Sequence, residues 1–128
     1  MDSFAHLNLP FTSGTNLVEK YLEVTVFENL STCTSPLTNG FTPGSFESQS
    51  ITSLNGIQFV RESAQENALG HVYDWVAYST VKGTACISLN FVLRSTNPMN
   101  SPAAPVFNKE LESAAFLDIA SSFNWTVP

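Results

Sequence analysis

Basic residues are scarce in this sequence of 128 residues: Lys and Arg number 5 against 11 Asp and Glu, a net charge of −6. That balance argues against a nucleic-acid partner, because affinity for a polyphosphate comes largely from cations that displace condensed counterions. Long apolar runs are lacking too, and none approaches the roughly 20 residues that span a bilayer, so no transmembrane segment is expected. The opening residues, Met-Asp-Ser-Phe-Ala-His, have neither the basic start nor the apolar core of a signal peptide. Strand-like sequence nevertheless begins almost at once, where chain ends ordinarily fray. The expectation is that these residues lack an N-terminal signal peptide and an opening segment.

Catalytic motifs are equally sparse. The 2 histidines, His6 and His71, stand in neither an HxxxH nor an HExxH spacing, so no metal site is expected. No GxSxG elbow or SxxK pair marks a serine nucleophile. The 2 cysteines are far from a CxxC arrangement, and there is no GxGxxG or Walker loop to cradle a phosphate. No cofactor is implied. Paired carboxylates of the glycosidase type are not legible in a sequence, since their separation is spatial.

What is present is alternation. At this length one domain is expected, 1–128, around a single core. Its organising stretch is 70–95, GHVYDWVAYSTVKGTACISLNFVLRS, in which apolar and polar residues alternate on both sides of Val81-Lys82-Gly83-Thr84. A period of two predicts two long strands joined by a tight turn. It places Ala85, Ile87, Leu89, Phe91 and Leu93 on one face, with Cys86, Ser88, Asn90, Val92 and Arg94 on the other. Tyr73, Trp75 and Ala77 share one side of the first strand, Val76 and Tyr78 the other.

Ahead of that hairpin, Phe4 to Leu9 predicts a short strand ended by Pro10. Leu17 to Glu28 predicts a half-buried strand with Val18, Leu22, Val24 and Val26 facing one way and Lys20 at the margin. From Asn29 to Ser48 the sequence turns to Ser, Thr, Pro, Gly and Asn and reads as a long irregular connection, with Phe41 and Phe46 tucked against the body. Asn55-Gly56 between two β-prone runs, Ser50 to Leu54 and Ile57 to Glu62, predicts a hairpin with a type I′ turn. Ser63 to Leu69 reads as a polar connection. After the long hairpin, 97–106 holds three prolines and predicts an extended loop. Asn108 is a plausible N-cap for a final helix, with Glu110 and Glu112 in its first turns. Leu111, Ala115, Phe116, Ile119, Ala120 and Phe123 recur every three or four residues and form one stripe that must lie on a sheet.

Cys33 and Cys86 either form a bridge or stay as two buried thiols, and spacing alone leaves both open. His71, with Tyr73, Asp74 and Glu66 near it in sequence, is the one candidate base, although a regular strand points Asp74 to the other face. Tyr21, Phe27, Tyr73, Trp75 and Tyr78 read first as packing residues and second as an aromatic binding surface. The stiff proline-rich loop adds Asn97 and Met99 as candidate contacts. His71, Tyr73, Trp75, Asn97 and Met99 are therefore the candidate binding residues.

The strand GTNLVEKYLEVTV, Cys33 followed by Thr-Ser-Pro, the Asn55-Gly56 hairpin, AYSTVKGTACISLNFVLRS and the closing FNKELESAAFLDIASSFNW together span most of the chain. In them the sequence resembles a group of secreted bacterial proteins whose domain is similar to the PsbP-like α+β fold. The resemblance implies export, a Cys33–Cys86 disulfide, and an extracytoplasmic accessory or binding module. The fold class expected is α+β: an antiparallel sheet of five or six strands with the C-terminal helix packed on one face. The function expected is non-catalytic binding of an unknown protein or small ligand by a secreted protein, read as a monomer rather than an oligomer. Two alternatives stand beside it: a small hydrolase using His71 as base, and a structural module of an envelope assembly.

Overall fold

Among the described residues, six strands and one long helix arise close to where those alternations predict them. A computed structural model of the chain describes residues 2–28, 33–37, 46–97 and 104–124. The strands are β1 (Asp2–Asn8), β2 (Leu17–Glu28), β3 (Phe46–Leu54), β4 (Ile57–Ala68), β5 (His71–Lys82) and β6 (Ala85–Thr96). The helix, α1, is Lys109–Ser121. All strands join one antiparallel sheet in the order β1-β2-β6-β5-β4-β3. The β5–β6 hairpin occupies its centre, as its length and apolar content require.

Several boundaries differ from expectation. Ser63 to Ala68 continues β4 instead of connecting it, and the turn into β5 is Leu69-Gly70, both at positive φ (53° and 82°). That is the same left-handed pair as Asn55-Gly56 (54° and 75°), but Leu is a poor advertisement for it. At the other end β3 begins at Phe46, inside the stretch read as irregular. In β2 a bulge between Leu17 and Glu19 breaks the period, so Leu17 is buried and Val18 is 42% exposed. Phe41 and most of the proline-rich loop, Met99 included, lie outside the described residues, as does the side chain of Phe46.

On one face α1 covers the sheet. A chain of rings holds it there: Phe116 stacks on Phe91 at 4.7 Å, Phe91 meets Tyr78 edge-on at 6.1 Å, Tyr78 meets Phe59 at 6.2 Å, and Phe59 meets Phe123 at 5.9 Å. Asn108 caps the helix, its side chain accepting from the Leu111 N–H at 3.1 Å. The buried stripe is Glu112, Phe116 and Ala120, whereas Leu111, expected inside, is 60% exposed. Lys20 is not marginal either, for it is buried against Glu112 with Nζ 3.2 Å from Oε1.

The centre of the opposite face is covered by 33–37. The chain must pass from β2, second in the sheet, to β3 at the far edge, about 19 Å away at four strand spacings. Cys33 is bridged to Cys86 of β6, with Cα atoms 5.5 Å apart. The backbone N–H of Ser35 donates to Glu62 Oε1 on β4 at 2.8 Å, and its hydroxyl donates to Asn90 Oδ1 on β6 at 2.6 Å. Leu37 packs on Ala64, Trp75, Ala77 and Val92.

Candidate functional site

One helix is about 10 Å wide and covers roughly two strands, whereas the sheet has six. Its position over the sheet is set by Lys20 on β2 and Phe91 on β6, the partners of Glu112 and Phe116. The flank toward β5, β4 and β3 is consequently open. There a groove of about 440 Å³ runs between Val76, Tyr78, Arg61 and Thr52 on the sheet and Ala114 and Leu117 on the helix. A smaller cavity of about 150 Å³, bounded by Ser63, Asp74 and Lys109, shares Arg61, Val76, Ser113 and Phe116 with it.

Arg61 supplies the groove's charge. It follows Ile57 and Phe59 at the period of two, which sends it to the helix face with them. The guanidinium sits over the Tyr78 ring, 6.0 Å from its centroid. Three of the other basic residues are in ion pairs: Lys20 with Glu112, Arg94 with Glu19 at 3.0 Å, and Lys109 with Asp74 at 3.0 Å. Among the described residues Arg61 has none. Glu110, in the first turn of α1, also borders the groove but forms no ion pair with Arg61.

The residues singled out from sequence are elsewhere. His71 is half-buried at the first position of β5, paired with Thr96, and the Asn97 N–H beside it donates to Gly70 O at 2.9 Å. The fold thus brings His71 and Asn97 to one end of the sheet. Tyr73 follows on the same face as His71, half-buried, and Trp75 is 1% exposed within the packing under Leu37. Asp74 points to the helix face, as its parity requires, and pairs with Lys109 there. Among the described residues His71 makes no ion pair with a carboxylate and borders neither groove nor cavity. The same residues include no group of three His, Cys, Asp or Glu able to hold a metal ion, and no helix long and apolar enough to cross a membrane.

On the face away from α1, the His6 ring stacks on Tyr21 at 4.6 Å and its Nδ1 lies 3.3 Å from Glu23 Oε2. Burial pushes the Tyr21 hydroxyl up to about 12, helped by Glu19, Glu23 and Tyr73 and opposed by Arg94. This β1–β2 corner of the face is acidic and borders neither the groove nor the smaller cavity. Reading the sequence missed Arg61, the one guanidinium on a strand whose alternation points to the helix side. Of the aromatic residues read second as a binding surface, Tyr78 does line the groove; the other lining residues gave no signal, because which strands α1 covers is settled by contacts distant in sequence. Comparison of the chain with protein-family models, with curated proteins and with solved structures finds no match in any of the three.

Proposed function

We propose that the protein is a non-catalytic, extracytoplasmic binding domain that holds a small ligand in the groove between α1 and strands β3 to β5. The observation that carries this reading is a half-buried guanidinium without an ion-pair partner among the described residues, set in an otherwise largely apolar groove. A volume of about 440 Å³ falls within the ordinary range for small-molecule sites, which combine apolar walls with a few placed polar groups. The Cys33–Cys86 bridge supports export, since disulfides persist mainly in oxidising compartments.

The test is binding of an uncharged, environment-sensitive dye such as N-phenyl-1-naphthylamine, followed by its fluorescence. Ala114 is exposed on α1 and borders the groove, so Ala114→Trp fills the space without entering the core. Saturable binding at one site, lost in Ala114→Trp while the thermal transition stays in place, is the expected result. Binding unchanged by that substitution would place the site elsewhere.

A further inference from the structure

We infer that the groove's ligand is a single-headed, monoanionic amphiphile of the medium-chain carboxylate type. Its head would lie on Arg61 and its chain along Val76, Phe116 and Leu117. This rests on the binding-groove reading and adds the chemical class.

Charge complementarity selects an anion. In a chain of net charge −6, Lys20, Arg94 and Lys109 have each found a carboxylate, but among the described residues Arg61 has not, although acidic residues outnumber basic ones 11 to 5. The groove therefore presents a guanidinium without an ion pair among the described residues, in a negative protein. The Arg61 guanidinium lies 6.0 Å from the Tyr78 ring centroid, and a guanidinium's planar fork of N–H donors matches a carboxylate with two parallel hydrogen bonds. The same surroundings limit the charge to one. Glu110 stands on the groove's border and Asp74 on that of the adjoining cavity, where Lys109 already neutralises it. A single guanidinium balances one negative charge, and a dianionic phosphate would bring a second toward Glu110. The walls decide the remainder of the molecule: Val76, Tyr78, Phe116, Ala114 and Leu117 are apolar, and Leu117, 50% exposed, leaves its side chain available to cover a chain.

The measurement is displacement of the groove dye by decanoate, decanol and decyltrimethylammonium, each below its micellar concentration, from the wild type and from Arg61→Gln and Glu110→Gln. Decanoate should bind at least about tenfold more tightly than decanol, as expected of a charge-assisted hydrogen-bonded pair. Shortening it to octanoate should weaken binding by about fourfold per methylene removed. Arg61→Gln should abolish the preference for decanoate, weakening it by about tenfold more than decanol. Glu110→Gln, on an exposed helix position, should tighten decanoate alone, which keeps the test decisive should the Arg61 variant fold poorly. Equal affinities for decanoate and decanol, both lost in Ala114→Trp, would overturn the anion while leaving the groove standing. Displacement by decanoate that survives Ala114→Trp would overturn the groove itself.

Discussion

Tyr21 shows how one side chain reports on its surroundings. It lies half-buried on β2, its ring against His6, with Glu19 and Glu23 on the same strand face. Burial disfavours the phenolate, and the two carboxylates disfavour it further, so the hydroxyl moves from its usual value of 10 to about 12. The fold thus prefers the protonated form, and the native state holds a proton that the unfolded chain has begun to release at pH 10. This contribution is fully present below pH 10 and is lost as pH rises from about 10 to about 12. Between pH 9 and pH 11.5 the urea midpoint of the wild type should therefore fall further than that of Tyr21→Phe. A parallel fall in both proteins would mean that Tyr21 ionises at an ordinary value. Absorbance at 295 nm should show the same group as a step near pH 12 that is missing from the variant.

At the scale of the element, α1 is seated by an ion pair as much as by its apolar stripe. Lys20 and Glu112 are 6% and 5% exposed at their side chains, and Lys20 also lies over the Phe116 ring at 5.7 Å. The second Glu112 oxygen accepts from the Thr12 N–H at 3.1 Å, so the carboxylate is used at both ends. Removing one partner leaves the other charge buried and uncompensated, whereas replacing both with apolar groups of similar size is often close to neutral. Lys20→Met should cost about 3–5 kcal/mol by urea unfolding, and Lys20→Met with Glu112→Leu should recover most of that. A loss under about 1 kcal/mol in the single variant would show that water reaches the pair. The same pair explains where the sequence was opaque. The start of α1 was legible because Asn108 and the early glutamates act locally, and β2, β5 and β6 were legible because a period of two is local as well. The face of α1 was not, since burying Glu112 in place of Leu111 depends on a lysine 92 residues away. The outer half of β4 was hidden for a related reason. Its polar residues look like a loop until Ser63 to Ala68 are seen to pair with β5 and Gln65 to donate to Asp74 at 2.7 Å.

For the whole molecule, the unusual feature is a buried polar row on the sheet face away from α1: Thr25, Ser79, Ser88, Asn90 and Glu62, each 1% exposed or less. An apolar lining would need no particular cover, whereas this one does. Asn90 Oδ1 accepts from the Ser88 hydroxyl at 2.9 Å and from Ser35, and its Nδ2 donates to Glu23 O at 2.9 Å. Because the Ser88 proton is spent on Asn90, Ser79 must be the donor of the 2.9 Å contact between the two hydroxyls. Ser35 thus joins a network spread over four strands, β2, β6, β5 and β4, and the Cys33–Cys86 bridge keeps it there. The bridge spans 53 residues of sequence, for which loop-closure entropy gives about 4 kcal/mol. Cys33→Ser with Cys86→Ser should lower stability by about that amount, and Ser35→Ala alone by about 1–3 kcal/mol through the acceptor it leaves short. If bridge and network act through the same crossing segment, the losses will not add: Ser35→Ala should cost less once the bridge is gone, because 33–37 then spends part of its time off the sheet. Strict additivity in the cycle would mean that the segment stays seated without its bridge, and that the disulfide acts on the unfolded chain alone.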